Sequence, residues 1–157
     1  MAIKADPDFS ALLALLNAHR VEYMIVGGHA LALHGSPRFT GDLDIYYKAD
    51  TVNAERMATV IAEFGFGDLG LTADDFLTAE SVLQLGVPPR RLDFLNSLTG
   101  VSWNEAHTGR VKGTYGDIQV HYIGRDQLIK NKRATGRQRD LADLEMLEGT
   151  SSGLEGE

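Results

Sequence analysis

The chain has 157 residues, a mass of 17.1 kDa, 43% hydrophobic residues and a formal net charge of −7, enough apolar material for one core and hardly two. Cysteine is absent, which excludes disulfides and zinc–thiolate centres and leaves oxygen or histidine to hold any metal. The acidic balance argues against nonspecific adhesion to nucleic acid, although Glu148, Glu155 and Glu157 near the C-terminus supply three of the charges and leave −4 elsewhere. No run approaches bilayer length and the N-terminus lacks a signal-peptide layout, so a soluble cytoplasmic protein with no membrane partner is the expectation.

In chain order, Asp6-Pro7 reads as an N-cap and first-turn proline, and Phe9, Leu12, Leu13 and Leu16 recur at helical spacing, predicting a helix to about Arg20. Val21 to Val26 reads as a strand, Gly27-Gly28 as a turn, and His29 to His34 as a short helix closed by Gly35. After a loop over 36–41 comes a second strand, about Asp42 to Lys48, then a helix from Thr51 to Phe64 ended by Gly65. Residues 66–80 read as irregular with one helical turn at Asp74 to Leu77. Val82 to Leu85 and Arg91 to Leu95 read as strands separated by Pro88-Pro89.

Ser102-x-x-Glu105 has the form of a capping box opening a brief helix from Trp103 to His107. Arg110 to Thr114 and Ile118 to Ile123 flank Gly116-Asp117 as a hairpin, and Arg125 to Ala134 and Arg137 to Leu147 read as two helices broken at Thr135-Gly136. Residues 1–148 are expected to form a single α/β (α+β) domain, a mixed sheet flanked by helices. The Gly-, Ser- and Glu-rich stretch 149–157 is expected to be a disordered tail.

The chemistry concentrates in the second strand. Alternate residues of a strand face the same way, so Asp42 and Asp44 project side by side with Cα atoms roughly 6 to 7 Å apart. Carboxylates that close repel unless a proton or cation intervenes, and hard divalent ions such as Mg²⁺ suit such oxygens while keeping positions open for phosphate. Gly27-Gly28 before a helix lets a phosphate approach the backbone closely. Asp93 alternates with Leu92 and Phe94, and the pattern leaves two readings of it: an outward-facing acid, or a third carboxylate that deprotonates a hydroxyl or completes a two-metal site.

These elements resemble the nucleotidyltransferase superfamily, whose signature is a Gly-Gly or Gly-Ser turn, an Asp-x-Asp strand after a short helix, and a third acid on a later strand. Here they are Val26-Gly27-Gly28, Asp42-Leu43-Asp44-Ile45 and Asp93. The strings Gly27-Gly28-His29-Ala30 and His34 to Asp44 look most like the small bacterial AbiEii toxin-type members. So does the C-terminal string Leu128-Ile129-x-Asn131-Lys132-x-Ala134-x-Gly136-Arg137-x-x-Asp140-Leu141-Ala142-Asp143-Leu144.

The resemblance implies Asp42 and Asp44 as Mg²⁺ ligands, Asp93 as third ligand or base, and Gly27 and Gly28 as phosphate contacts. It implies transfer of an NMP group from an NTP to an acceptor hydroxyl, toxin-like on tRNA or protein, or on an antibiotic. A partner antitoxin or a second copy of the chain would supply a missing wall. The rival class is a noncatalytic nucleotide-binding module that regulates a partner.

Arg38 and Thr40, just before the acids, are read as bracing the triphosphate or ordering the loop, against the ordinary reading of a loop arginine as solvated, with the functional reading preferred for Arg38. Lys130, Lys132, Arg133, Arg137 and Arg139 form a basic run whose ordinary reading is a solvated helix and whose sharper reading is phosphate binding, with Lys132 the preferred contact. Asp140 and Asp143 share a helix face and read as supports for Arg137 or Lys132. His29 and His34 read as packed or hydrogen-bonded side chains, and Trp103 as a core anchor.

Overall fold

The computed structural model describes residues 5–35, 41–87 and 90–155. It begins with α1 (Pro7–Ala18), where the Asp6 carboxylate accepts from the amides of Asp8 and Phe9. Phe9, Leu12, Leu13 and Leu16 form its buried stripe, and the three fully buried leucines contribute about 2 kcal/mol each. The chain then runs through β1 (Tyr23–Val26), α2 (Gly27–Leu33), β2 (Leu43–Tyr47) and α3 (Thr51–Ile61), the last capped by Asp50. A widened helical turn over Ala62–Phe66 and a 3₁₀ turn over Gly67–Leu69 lead to α4 (Ala73–Leu77).

The remaining elements are β3 (Val82–Val87), β4 (Arg90–Leu95), α5 (Trp103–Gly109), β5 (Val111–Tyr115), β6 (Ile118–Tyr122), α6 (Arg125–Thr135) and α7 (Gln138–Glu155). The Ser102/Glu105 capping box opens α5 as expected, and Gly136, at φ 62°, takes the left-handed conformation that breaks α6 from α7. α7 is drawn as helix to Glu155, across most of the stretch whose composition reads as a tail.

Among the described residues the strands form one six-stranded mixed sheet in the order β3-β4-β2-β1-β6-β5. β1 pairs antiparallel with β2 and parallel with β6, and β2 pairs parallel with β4. Two adjacent tyrosines in β2 mark the layers: the ring of Tyr47 meets Phe76 of α4 edge-on at 5.8 Å, and that of Tyr46 meets Trp103 of α5 at 5.1 Å. Neighbouring strand residues face opposite ways, so α4 and α5 cover opposite faces. Trp103 is partly buried and packs against the core through Tyr46.

At the end of the β1–β2 pair remote from the acids, the buried side chain of Asn53 closes the strands. Its Oδ1 accepts from the Glu22 amide at 2.8 Å, and its Nδ2 donates to the carbonyls of Glu22 and Lys48 at 3.0 and 2.9 Å.

Candidate active site

The site is built where β1 hands over to α2. Gly27 and Gly28 are not a turn before the helix; they are its first two residues, directly after Val26. Val26 lies opposite Asp44 in the antiparallel register. Gly27 has φ +69°, and a Cβ built on it would stand 1.9 Å from Asp44 Oδ2. The missing side chain is therefore the space that the Asp44 carboxylate occupies.

β2 and β4 run parallel with Asp44 opposite Asp93, and Asp42 precedes β2 on the same face as Asp44. The register places Asp93 beside Asp44, with its side chain 12% exposed. Burial raises Asp44 most, and the charge and hydrogen bond of Asp93 and the charge of Asp42 add to it, against the opposing charge of Arg91; the carboxyl is pushed up to about 7. Two carboxylates sharing a proton are the outcome expected when no other cation compensates them.

Part of the compensation comes from Arg91, which pattern reading passed over. Its Nε donates to Asp93 Oδ1 at 2.8 Å and its Nη2 to Asp93 Oδ2 at 3.2 Å, while Nη2 stands 3.5 Å from Asp42 Oδ2. The signal was present: Arg91 is two residues from Asp93 on a strand and so shares its face. Among the described residues no three carboxylate or imidazole groups converge as a ready-made metal cage. The donor set nevertheless fits a hard divalent ion in kind, since it consists of carboxylate oxygens whose mutual repulsion Arg91 only partly offsets.

His29 is buried, with its ring edge-on to Tyr115 at 5.5 Å. Burial lowers it below the usual imidazole range, opposed by a hydrogen bond to the Asp42 backbone, so the neutral ring braces the start of β2. His34 Nε2 lies 2.8 Å from the Ile123 carbonyl oxygen. Both histidines are packed or hydrogen-bonded, as their sequence context suggested. Arg38 and Thr40 lie outside the described residues.

Gly27, Gly28 and the three acids line a cleft of about 650 Å³ together with residues of α6, of the α6–α7 junction and of the start of α7. The basic run divides there. Lys130 and Arg133 pair with Glu105 and Glu148 on the solvated side, whereas Lys132, Arg137 and Arg139 line the cleft. Lys132 is buried, with Nζ 3.2 Å from both Asp140 Oδ1 and Asp143 Oδ2. Asp140 also accepts from Arg137 Nε at 2.7 Å and from the Thr135 hydroxyl at 2.6 Å. Burial would raise Asp140, but these hydrogen bonds outweigh it and hold the carboxyl well below the usual carboxylate range. The two aspartates are supports, as read. A larger cleft of about 740 Å³, beside Trp103, His107 and His121, is lined by none of the three acids.

No family model and no curated protein sequence matches the chain. Solved structures do. A lincosamide antibiotic adenylyltransferase, LnuA, with lincomycin bound, superposes with a TM-score of 0.58 at 15% identity, over 95% of this chain and 99% of that one. An antigenic nucleotidyltransferase-like protein from Paracoccidioides brasiliensis gives 0.55 at 16% identity, over 93% and 78%. The antibiotic-resistance factor ANT(2'')-Ia gives 0.53 at 12% identity, over 95% and 90%. The mixed sheet, with its helices on both faces, is thus a nucleotidyltransferase-like fold.

Proposed function

We propose that this protein is a cytoplasmic Mg²⁺-dependent nucleotidyltransferase that moves an NMP group from an NTP to an acceptor hydroxyl. The observation that carries the reading is the juxtaposition of Asp42, Asp44 and Asp93 beside Gly27 in a cleft that Arg91, Lys132, Arg137 and Arg139 also line. Asp42 and Asp44 would hold Mg²⁺, with Asp93 as third ligand or as base, and a two-metal arrangement is compatible with three carboxylates. The ion would supply charge neutralisation at the triphosphate.

Asp93 is suited to take the acceptor proton as the acceptor oxygen bonds to the α-phosphorus and the bond to the β-phosphate oxygen breaks, releasing pyrophosphate. Gly27 leaves its side-chain space to Asp44 while Gly28 offers the phosphates bare backbone. Arg38 and Thr40 are assigned to the nucleotide, and Lys132, engaged by Asp140 and Asp143, to the cleft wall beside it rather than to direct contact.

Two acceptor classes have specific support. The fold neighbours that act on or resist antibiotics favour a small hydroxylated antibiotic. The AbiEii-like string from Leu128 to Leu144 favours a toxin-type enzyme acting on tRNA or protein, with an antitoxin or a second copy as partner. Antibiotic protection on expression marks the first, and growth arrest the second.

The test is calorimetry with ATP and GTP, with and without Mg²⁺, on wild type and on Asp42→Asn/Asp44→Asn, followed by transfer of α-phosphate label to acceptor panels. Metal-dependent binding that the double variant loses, with label transferred and pyrophosphate released, is expected. Nucleotide binding that ignores both metal and the double substitution would overturn the reading. Intact binding with no turnover on any acceptor would favour the regulatory module.

A further inference from the structure

The carboxylates of the cleft are already met by a cation that the chain itself provides. Arg91 spends a two-pronged guanidinium contact on both oxygens of Asp93 and reaches Asp42 with one of the same nitrogens. We propose that Arg91 is a placeholder for the divalent cation: it holds Asp93 and Asp42 in the metal-free protein, is displaced when the ion enters, and then pairs with the triphosphate. This rests on the reading of the cleft as a metal and nucleotide site.

The displacement follows from donor geometry. A guanidinium fork occupies the lone pairs that face both oxygens together, so a metal ion that takes Asp93 from that side competes with Arg91 for it. Their like charges also oppose joint occupancy beside Asp93 and Asp42, both of which Arg91 reaches. The strand does not have to move, because β4 is bonded on both sides, to β2 and to β3. Only the side chain need swing, and it is 28% exposed. The residue opposite Arg91 on β3 is Gly86, which has no side chain to confine it.

The second role follows from the accounting of charge. Of the other cations that line the cleft, Lys132 is committed to Asp140 and Asp143 and Arg137 to Asp140, while Arg139 is exposed, so a displaced Arg91 would join Arg139 in facing the polyanion. Arg91, once displaced, is a guanidinium released inside the same cleft at the moment when a polyanion and its metal arrive. Bidentate pairing of guanidinium with phosphate is the favoured geometry for such a group. Arg91 would thus link metal entry to nucleotide affinity.

The experiment measures Mn²⁺ affinity by loss of the free-ion paramagnetic resonance signal. It also measures the affinity for a methylene-bridged ATP analogue at saturating Mg²⁺, on wild type, Arg91→Gln and Arg91→Lys. Arg91→Gln should bind Mn²⁺ about tenfold more tightly and the analogue about tenfold more weakly. Arg91→Lys, charged but without the fork, should move both affinities in the same directions by less, and it carries the test if the glutamine variant does not fold. A merely structural arginine would weaken both when removed.

Mn²⁺ binding equal to or weaker than wild type in either folded variant, or unchanged affinity for the analogue, overturns the proposal while the metal-site reading stands. Absence of Mn²⁺ binding from wild type and both variants overturns the metal-site reading, and this inference with it.

Discussion

Asp44 Oδ2 stands 1.9 Å from the point at which a side chain on Gly27 would begin, and Gly27 holds φ +69°. The two residues lie on separate segments, yet each determines what the other can be. Gly27→Ala adds a methyl group where an oxygen already sits and forces a left-handed conformation on a residue with a Cβ. The expected cost is about 2 to 4 kcal/mol in urea denaturation, together with loss of metal-dependent nucleotide binding. A variant of wild-type stability would show that Asp44 can rotate freely out of the cleft.

The shared proton at Asp44 gives the metal-free protein a distinctive pH response. The folded group titrates near 7, whereas an unfolded aspartate titrates near about 3.9. Between those values the folded chain holds a proton that the unfolded chain has lost, so this group's contribution to stability falls as pH rises from about 4 through 7, by on the order of 2 to 4 kcal/mol. Urea unfolding in chelator across that range should show wild type losing stability relative to Asp44→Asn. A parallel course for the two proteins would remove Asp44 from the account. Mg²⁺ affinity, which needs the deprotonated carboxylate, should rise over the same window.

Lys132 supports the wall of the cleft by sitting between two buried carboxylates. Lys132→Met removes the cation from between Asp140 and Asp143, and breaking a buried pair from one side typically costs about 3 to 5 kcal/mol. Because Arg137 and Thr135 still serve Asp140, the lower end is expected. Adding Asp143→Asn to the same chain should recover part of the loss, and a double-mutant cycle measures the coupling.

Asn53 satisfies three backbone groups where β1 and β2 close. Asn53→Ala strands the Glu22 amide and the Lys48 carbonyl, the Glu22 carbonyl still accepting from the Lys48 amide at 3.1 Å, and is expected to cost about 1 to 3 kcal/mol. Asn53→Asp should fare little better, because it keeps the acceptor for the Glu22 amide and loses both donors. Since the pair lies at the end of the strands away from the acids, nucleotide affinity in the remaining folded protein should be unchanged, which calorimetry checks.

Local pattern carried the elements and their order. The Asp6-Pro7 start of α1, the Ser102/Glu105 box, the helical turn near Asp74 and the break at Gly136 depend on interactions between residues a few positions apart, which spacing and residue type report directly. The face shared by Asp42 and Asp44 was legible for the same reason, as was the pairing of Lys132 and Arg137 with Asp140.

What tertiary structure decided was everything that depends on register between distant segments. The parallel pairing of β2 with β4 sets Asp93 beside Asp44 and carries Arg91 to Asp42. The antiparallel pairing of β1 with β2 makes Gly27 the space for Asp44. The packing of α6 and α7 over the cleft divides one basic run into a solvated half and a half that lines the site. A strand's alternation says which residues share its face, but a one-residue shift of pairing would send every side chain to the other side. That register is set by burial across the whole sheet, so the acids were visible in the sequence and the site they form with Arg91 was not.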